Sequence, residues 1–249
     1  MEKLRVSIVT VCLNEIGSIS DSVESVLSQT YERVEYIVFD GGSADGTLEY
    51  LLSKKGAFSY FESNIDGGIY HAMNSALEKC TGDIVYFLNA GDMFFSPETV
   101  ENAVHYFEKN PSLQMLLGKV RYVNDHLKKR GADGGVFQFS NIHELCATNI
   151  PQQCVFARME LYSRIGLFDL RYRICADYDW LIRAYLSEMK LEFVVDVFCN
   201  FDGQGVSNTQ SNRRLREKRM IVFRNTGLVE FFKYSLRGMS SWLRSNFSA

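Results

Sequence analysis

The sequence predicts an α/β fold with a mostly parallel central sheet and helices on both faces. Two observations support this prediction. Over residues 5–89, short apolar runs alternate with stretches whose apolar residues recur every three or four positions, which is the order of βαβ units. The run RVSIVTVCL (5–13) is mostly apolar and rich in β-branched residues, as expected for a strand buried on both faces.

Four strands are predicted in the first half of the chain, and each is followed by residues typical of a turn. They cover 5–13, 34–39, 59–63 and 83–89. The helices between them begin after Ser18, at Thr47 as a cap, and after Gly68. Asp21, three residues beyond Ser18, completes the pattern of a capping box.

The second half mixes strands and helices, so we place a soft boundary near residue 95. Together with a basic C-terminal segment from residue 211, this boundary divides the chain into 1–95, 96–210 and 211–249. Ser96-Pro97-Glu98 predicts a helix start, with a cap and then proline at the first helical position. Further strands are predicted at 113–123, 134–139 and 191–197, and further helices at about 158–165 and 177–188.

The composition excludes several classes of protein. Hydrophobic residues make up 46% of the 249 residues and charged residues 23%, which is typical of a globular chain. No apolar run approaches the roughly 18 residues of a membrane span. The N-terminus lacks the apolar core of a signal peptide, so we expect a cytoplasmic protein. The six cysteines form no CxxC pair and no zinc-type spacing with the four histidines, so we expect mostly buried free thiols.

Residues 211–249 differ in charge from the rest of the chain. They contain nine Lys or Arg and two Glu, a local +7, so the remainder carries −10 of the overall −3. This overall balance is not that of a nucleic-acid-binding protein. Spacings of three and four predict one or two amphipathic helices, with the apolar residues Leu228, Phe231, Phe232, Leu236, Met239, Trp242 and Leu243. Two interpretations stay open: packing on the domain or on a second copy, and attachment to an anionic membrane surface.

Polar residues collect at the carboxyl ends of the four predicted strands, where parallel sheets bind ligands. They are Asn14-Glu15, Asp40, Asn64 with Asp66, and Asn89 to Asp92. The chain has neither a P-loop lysine nor GxGxxG, so a bound diphosphate would need Mg²⁺ or Mn²⁺ to neutralise it. Asp92 is the best ligand candidate for that metal, and the alternative is a turn aspartate.

The other acidic candidates have structural alternatives too. Asp40 either accepts hydrogen bonds from a base or ribose, or caps the turn that follows it. Asp66 either faces a ligand or supplies charge at a helix N-terminus. The same structural alternative applies to Asp177 and Asp179, for which the functional interpretation is a general base facing the crevice.

Five segments resemble the motifs of family 2 glycosyltransferases, which have the GT-A fold. They occur in order across about residues 5–205 and read SIVTVCLNE (7–15), YIVFDGGSADGT (36–47), NIDGGIYHAMNSAL (64–77), TGDIVYFLNAGD (81–92) and ICADYDW (174–180). The DGGIYHAMN and LNAGD variants are most similar to bacterial enzymes of cell-surface polysaccharide synthesis. The resemblance implies an inverting enzyme that moves a sugar from a nucleoside-diphosphate sugar, a UDP-sugar being favoured, to a saccharide or lipid-linked saccharide.

The resemblance also implies roles for individual residues on the donor side. The residues that match the nucleotide pocket are Val11, Leu13, Asn14 and Glu15, together with Asp40 at the base. Those that match the segment facing the diphosphate and donor sugar are Asp66, Gly67 and Asn74. The place of the metal-binding DxD motif is taken by Asn89, Ala90, Gly91 and Asp92, with Asp92 as the metal ligand.

On the acceptor side, the resemblance implies that Asp177 is the general base, with Asp179 as a near neighbour. Gln152 and Gln153 match a position near donor and acceptor. The motifs depart from the family at Ala176, where a glutamate is usual, and in having a single carboxylate in NAGD. Two other activities stay open: a metal-dependent nucleotidyltransferase, which would share the acidic crevice, and a non-catalytic nucleotide-binding protein.

Overall fold

The structure, a computed structural model, describes residues 3–123, 137–203 and 211–247, with the side chains of 212–234 in the last segment. The strands of these segments are β1 (Val6–Cys12), β2 (Val34–Asp40), β3 (Tyr60–Ser63), β4 (Ile84–Phe87), β5 (Met93–Phe94), β6 (Met115–Tyr122), β7 (Val155–Arg158) and β8 (Leu191–Phe201). The α-helices are α1 (Ile19–Leu27), α2 (Thr47–Ser53), α3 (Ile69–Leu77), α4 (Thr99–Lys109), α5 (Ile142–Ala147), α6 (Met159–Ile165), α7 (Ala176–Leu186) and α8 (Ser211–Phe247). Short 3₁₀ turns cover Lys55–Ala57 and Gln152–Cys154.

The strands form one sheet in the order β3-β2-β1-β4-β7-β6-β8-β5. The pairs β1–β2, β1–β4, β2–β3 and β6–β8 are parallel, whereas β7 runs antiparallel to β4 and β6, and β5 antiparallel to β8. The predicted α/β fold with a mostly parallel sheet is confirmed. Because β4 pairs with β7, strands from both predicted halves share this sheet, and the boundary near residue 95 stays a prediction.

The strand directions bring several chain segments to one edge of the sheet. β1, β2 and β4 are parallel, so their carboxyl ends lie together. Tyr86 of β4 is opposite Phe156 of antiparallel β7, so the start of β7 lies beside the end of β4. β6 runs antiparallel to β7 and parallel to β8, and therefore the end of β8 reaches the same edge. The turn at 152–154 and the residues after β8 thus lie near the carboxyl ends of the first strands.

Apolar burial holds this arrangement in place. All seven residues of β1 and all four of β4 are buried, as their continuous apolar sequences predict. The rings of Tyr86 and Phe156 stack across the β4–β7 pair with centroids 4.1 Å apart. All six cysteines are free and five of them are buried, which confirms the expectation for the thiols.

Several predicted element starts differ from the structure. Ser18 makes no side-chain cap; its hydroxyl donates instead to the Glu15 carboxylate at 3.0 Å, so the predicted capping box does not form. Gly46 is the cap position of α2, and Thr47 is its first residue. The helix predicted from Ser96 begins at Thr99, because the Thr99 hydroxyl accepts from the Ser96 backbone in a preceding turn.

Two predicted strand ends also differ. The last strand extends to Phe201 rather than 197, since its pairing with β6 continues to Tyr122. Of the strand predicted at 134–139, residues 137–139 have no strand structure, and the rest lies outside the described residues.

The basic C-terminal segment forms α8, which breaks at Gly227 where φ is 79°. Before the break, Ile221 and Val222 are fully buried against the rest of the protein. Across it, the rings of Phe223 and Phe231 approach to 5.7 Å between centroids. The side chains of Leu236, Met239, Trp242 and Leu243 lie outside the described part. Among the helices that the structure describes, none has the length and hydropathy to cross a membrane.

Candidate active site

The loop after β1 is tied to the loop after β2 by backbone and side-chain hydrogen bonds. Asn14 has a positive φ of 55°, its N–H donates to the Ser43 hydroxyl at 2.7 Å, and its side-chain oxygen accepts from the Ala44 N–H at 2.9 Å. The N–H of Glu15 donates to the hydroxyl of Thr47 at 2.8 Å. The predicted nucleotide-side residues Asn14 and Glu15 therefore belong to one interlocked rim.

The Asp40 carboxylate holds the loop after β2, which forms one side of this rim. It is only 2% exposed, and its carboxylate accepts hydrogen bonds from the N–H groups of Gly42 and Ser43 and from the hydroxyls of Ser43 and Ser63. Burial disfavours the charged form, but these donors together lower the pKa of Asp40. The geometry is that of the turn-capping alternative.

Asp66 and Leu13 meet above Gly41. A methyl group built on Gly41 would lie 3.3 Å from Asp66 Oδ2 and 3.4 Å from Leu13 Cδ1, so the ends of β1, β2 and β3 converge on this glycine. Asp66 is exposed, and its Oδ1 accepts from the Gly68 N–H at 2.7 Å at the start of α3. Gly67 approaches His71 so closely that a methyl group there would lie 2.6 Å from that ring. Asp66 thus keeps Oδ2 on the crevice side.

Asp92 lies at the centre of the edge and is 4% exposed. Its Oδ2 accepts from the Gln153 side-chain amide at 2.6 Å, and its Oδ1 accepts from the backbone N–H of Asp202 at 3.1 Å. Ala90 and Gly91 are held through their N–H groups, by the Val11 carbonyl at 3.4 Å and the Ser22 hydroxyl at 3.0 Å. The NAGD turn, the 152–154 turn and the end of β8 therefore meet at one carboxylate.

The charge of Asp92 is not balanced. Burial, together with the negative charges of Asp202 and Glu15, raises the pKa of Asp92 to about 8, against its two hydrogen bonds. Within the described segments, no Lys, Arg or His pairs with it. Asn89 Oδ1 is also buried and accepts no hydrogen bond from the described residues. A buried carboxylate without a cationic partner and, in the same turn, an unused amide oxygen fit a hard divalent cation.

The protein's own donor set for such a cation is small. In segments 3–123, 137–203 and 211–247, no group of three His, Cys, Asp or Glu side chains is arranged to hold a metal ion. Asp92 and Asn89 would supply one or two oxygens, and the remaining positions would fall to a diphosphate and water, as Mg²⁺ commonly accepts.

A second polar centre lies at Asp177, in the first turn of α7. Its Oδ1 accepts from the Tyr70 hydroxyl at 2.8 Å and from the Tyr178 N–H at 2.8 Å. It lines a cavity whose walls are otherwise largely apolar and aromatic, made by Phe87, Ile150, Gln152, Val155, Tyr162, Phe168, Trp180 and Leu181. Burial raises the pKa of Asp177, while Tyr70, Tyr178 and the positive charge of Lys218 oppose the shift. A carboxylate with a raised pKa beside a cavity is suited to proton abstraction.

The two centres are joined by consecutive residues. The Gln153 side chain contacts Asp92, and its carbonyl accepts from the Tyr86 hydroxyl at 2.6 Å. Gln152, the preceding residue, lines the cavity at Asp177. The family resemblance implies that Gln152 and Gln153 lie near donor and acceptor. In the structure, Gln153 contacts the Asp92 centre and Gln152 lines the cavity at the Asp177 centre.

Three predicted site residues have other contacts in the structure. Asp179 is 3% exposed, pairs with Arg183 at 2.8 Å and accepts from Asn225 of α8 at 2.9 Å, so its carboxylate is not beside Asp177. Two residues along a helix differ by about 200°, which explains the separation. The Asn74 side chain bonds both the N–H and the carbonyl of Phe168, and the Val11 side chain is buried in the core.

Sequence reasoning missed four residues that contact the two centres or their supporting segments. They are Tyr70, Asp202, Glu217 and Lys218. Tyr70 lies inside a quoted motif, so its spacing from Asn74 was visible, but nothing local indicates that it reaches α7. Glu217 and Lys218 lie in the basic tail, which the sequence presents as a separate electrostatic region.

Comparisons with known proteins agree with this geometry. The family model described as Glycosyl transferase family 2 matches residues 7–163. A glycosyltransferase of Mycobacterium tuberculosis (strain ATCC 25618 / H37Rv), described as uncharacterized, is 33% identical over 205 residues, which cover 82% of this chain and 77% of that protein.

Two solved structures share the fold at lower identity. TarS 1-349 of S. aureus, in complex with UDP-GlcNAc, has a TM-score of 0.73 and 18% identity, over 99% of this chain and 76% of that one. This chain covers 44% of the longer TarS chain. The mannosyltransferase PcManGT from Pyrobaculum calidifontis, in complex with GDP-Man and Mn2+, has a TM-score of 0.69 and 17% identity, over 100% and 77%. The expected GT-A architecture is confirmed.

Proposed function

The chain belongs to glycosyl transferase family 2 and is a glycosyltransferase, and from this premise we propose that it transfers a sugar from a nucleoside-diphosphate sugar to an acceptor hydroxyl with inversion. The observation that carries the proposal is the Gln152–Gln153 pair, which joins a cation-accepting carboxylate to a candidate base. Bound UDP-GlcNAc and GDP-Man in the two structural neighbours support this class of donor. Two other activities stayed open from the sequence, a metal-dependent nucleotidyltransferase and a non-catalytic nucleotide-binding protein, and family membership supports neither of them.

On this proposal, the rim after β1 and β2 receives the nucleotide. Asn14 and Glu15 shape it together with the loop that Asp40 caps, and Leu13, which is 54% exposed, offers an apolar surface beside Gly41. Asp66 Oδ2 faces the same space. Asp40 thus contributes through the loop it organises, since its own oxygens are occupied by protein donors.

Asp177 acts as the general base in this scheme. An acceptor hydroxyl in the cavity loses its proton to the Asp177 carboxylate as its oxygen attacks the anomeric carbon of the donor, and the bond to the diphosphate breaks on the opposite side. The raised pKa of Asp177 favours proton uptake, and the aromatic walls exclude water that would compete with the acceptor.

The leaving diphosphate requires a counter-charge, for which we propose Mg²⁺ or Mn²⁺ held by Asp92 and Asn89. A divalent cation there stabilises the negative charge that develops on the diphosphate. Mn2+ in the mannosyltransferase neighbour supports this assignment. Gln153 fixes the orientation of the Asp92 carboxylate through its 2.6 Å hydrogen bond.

The test pairs donor turnover with nucleotide binding. The protein is incubated with UDP- and GDP-sugars and Mn²⁺, and released nucleoside diphosphate is measured. Asp177→Asn is expected to lower turnover about 10²- to 10⁴-fold, the usual contribution of a general base, while UDP or GDP still raises the melting temperature.

A matched control comes from a similar pair elsewhere in the chain. Asp196 of β8 accepts a hydrogen bond from the Tyr106 hydroxyl at 2.8 Å, as Asp177 does from Tyr70. Asp196→Asn should leave turnover unchanged. Full turnover in Asp177→Asn, or release of pyrophosphate instead of nucleoside diphosphate, would contradict the proposed function.

We further propose that the acceptor is a saccharide or lipid-linked saccharide of the cell surface, reached from the cytoplasmic face of the membrane. The support lies on α8, where Leu228, Val229 and Phe232 are each more than half exposed and basic residues such as Arg224 and Lys233 lie close by in sequence. Exposed apolar groups among basic ones suit an anionic lipid surface. The alternative, a second copy of the chain on this face, is an outcome of the vesicle experiment described in the Discussion.

A further inference from the structure

Tyr70 of α3 contacts the candidate base from outside its helix. The residue is 7% exposed, and its hydroxyl oxygen lies 2.8 Å from Asp177 Oδ1 and 2.9 Å from the carbonyl oxygen of Ile174. Its ring packs on Phe168 with centroids 5.6 Å apart. The phenol is therefore held between two acceptors that belong to the segment leading into α7.

A phenol has a single proton, so it donates fully to one acceptor at a time. An ionised carboxylate is the stronger acceptor, because charge-assisted hydrogen bonds are stronger than neutral ones. When the carboxyl is protonated, that advantage disappears, and the peptide carbonyl becomes a comparable partner. The two contacts of Tyr70 thus respond to the protonation of Asp177.

The second acceptor is fixed in place by a separate carboxylate. Glu217 of α8, 6% exposed, accepts the N–H groups of Ile174 at 2.9 Å, Cys175 at 3.1 Å and Arg173 at 3.1 Å. The Cys175 N–H belongs to the same peptide unit as the Ile174 carbonyl, so Glu217 holds that carbonyl in place. Neither acceptor therefore needs to move for the phenol proton to change partner.

We propose that Tyr70 is the positioning residue of the general base: it donates to ionised Asp177 before the reaction and turns its proton to the Ile174 carbonyl once Asp177 has taken the acceptor's proton. The inference rests on the base role proposed for Asp177. The acceptor hydroxyl loses one proton, Asp177 gains it, and Tyr70 keeps its own. The hydrogen bond thus stabilises the ionised form of Asp177, and because Tyr70 keeps its proton, Asp177 can still accept the proton of the acceptor hydroxyl.

Two other titratable groups lie near Asp177. Cys175 precedes α7, and burial raises the pKa of its thiol to about 12, so it stays neutral. Lys218 of α8 places positive charge near Asp177 while its Nζ donates to Asn149 at 2.6 Å. Burial and Asp177 keep the pKa of Tyr70 well above its usual range, so the phenol remains a donor.

The test is the pH profile of kcat/KM in Tyr70→Phe. Without the phenol, ionised Asp177 loses a hydrogen bond, so the acidic limb of the profile should move to higher pH. At a pH below that limb, kcat/KM should fall at least about tenfold, the factor that a hydrogen bond to a charged group is worth. Tyr106→Phe, which removes the matched bond to Asp196, should leave the profile unchanged.

A second variant keeps the ring and its packing. A fluorinated tyrosine introduced at position 70 alone is a stronger donor, so the acidic limb should move to lower pH, opposite to Tyr70→Phe. A role in packing alone would not produce opposite shifts. An unmoved acidic limb in both variants would overturn the proposal.

The ¹³C carboxyl resonance of Asp177 separates this inference from the proposed function. The Asp177 pKa is expected to rise in Tyr70→Phe, whichever substrate accepts the sugar. If it rises but Asp177→Asn retains full turnover, the contact is correct and the base role fails. If the Asp177 pKa does not change in Tyr70→Phe, the positioning role of Tyr70 fails even where Asp177 is the base.

Discussion

Two carboxylates define the candidate site, Asp92 buried and Asp177 partly buried, and their neighbours give them different chemistry. Asp92 accepts hydrogen bonds only from neutral donors, the Gln153 amide and the Asp202 N–H, so nothing offsets the negative charge of its ionised form. Asp177 has a phenol donor and the nearby charge of Lys218. The first arrangement favours a cation, whereas the second favours a group that exchanges a proton.

The raised pKa of Asp92 predicts a pH-dependent stability of the metal-free protein. Between 3.8, its ordinary pKa, and about 8, the folded protein keeps a proton that the unfolded chain has lost. Stability from this residue is therefore complete below the lower value and is lost as the pH rises through this window. In urea unfolding with chelator present, Asp92→Asn should be less sensitive than the native protein to a change from about pH 5.5 to about pH 7.5.

The same residue predicts how Mn²⁺ acts. Because a cation competes with the proton on Asp92, Mn²⁺ with UDP should stabilise the native protein more at the higher pH, and this pH dependence should be absent in Asp92→Asn. Asp83→Asn, which alters an exposed carboxylate bonded to the Arg5 N–H, serves as the control. An unchanged response to Mn²⁺ in Asp92→Asn would rule out Asp92 as the ligand.

At the residue scale, sequence patterns located the acids but not their partners. The motifs and the family resemblance indicated Asp92, Asp177 and Gln153. In the structure Gln153 contacts Asp92, and Asp177 lines the neighbouring cavity with Gln152. The same reasoning could not tell that Asn74 bonds the Phe168 backbone or that Asp179 pairs with Arg183, because those contacts join segments far apart in sequence or depend on the rotation of α7.

At the scale of elements, α8 is part of the site's support. Its Glu217 accepts three consecutive backbone N–H groups ahead of α7, and its Asn225 reaches Asp179 within α7. These N–H groups belong to the residues just before α7, the last of them at its cap position Cys175, and the helix itself offers them no partner. Glu217 therefore acts as a cap supplied by another helix.

Removing this cap should affect both stability and turnover. Glu217→Ala leaves three N–H groups unpaired, and we expect a loss of about 1–3 kcal/mol in the free energy of unfolding. Glu217→Gln retains an acceptor oxygen and should recover part of that loss. Urea unfolding measures the first effect, and donor turnover at a pH where the protein is folded measures the second.

Glu230→Gln provides the control on the same helix, since Glu230 bonds His143 and Lys233 away from α7. Its stability and turnover should be close to native. If Glu217→Ala were as stable and active as this control, the capping role would be wrong.

Element starts were harder to predict than the elements themselves. The apolar periodicity predicted β1, β2, β4 and α3 because burial sets those patterns directly. The capping-box pattern at Ser18 did not form, since the hydroxyl found a nearer partner in Glu15. Short polar side chains near a turn have several local partners, and sequence alone does not rank them.

At the scale of the whole molecule, basic and acidic residues are concentrated in different regions. The basic residues are concentrated on α8, whereas the site gathers Asp66, Asp92 and Asp177 at the sheet edge. The first part of α8 packs on the domain through Ile221 and Val222. Exposed apolar residues lie on both sides of the break at Gly227, and the most exposed of those described, Leu228, Val229 and Phe232, follow it.

The membrane proposal predicts binding to anionic vesicles that weakens with salt. Replacing the exposed Leu228, Val229 and Phe232 by serine should lower sedimentation with phosphatidylglycerol vesicles several-fold, because apolar insertion is lost. Val195→Ser is the matched control, being 71% exposed on β8. Deleting the whole segment is a poorer test, since it also removes Glu217.

Binding that persists in the triple variant, or a native dimer that dissociates in it, would contradict the membrane assignment. The second result would instead place another copy of the chain on this face.

The parallel part of the fold was predictable because three βαβ units and ordered motifs constrain it strongly. The antiparallel insertion of β7 between β4 and β6 was not, because a four-residue strand carries no signal of its direction. That insertion is what brings Gln152 and Gln153 to the site.

The Gln152–Gln153 dipeptide has a kinetic consequence. Gln153 is anchored at both its side chain and its carbonyl, to Asp92 and to Tyr86. A displacement of the Asp92 carboxylate would reach the wall of the neighbouring cavity through one peptide bond. We therefore expect an ordered addition of substrates, in which arrival of the nucleotide sets the shape of the chamber before the second substrate enters.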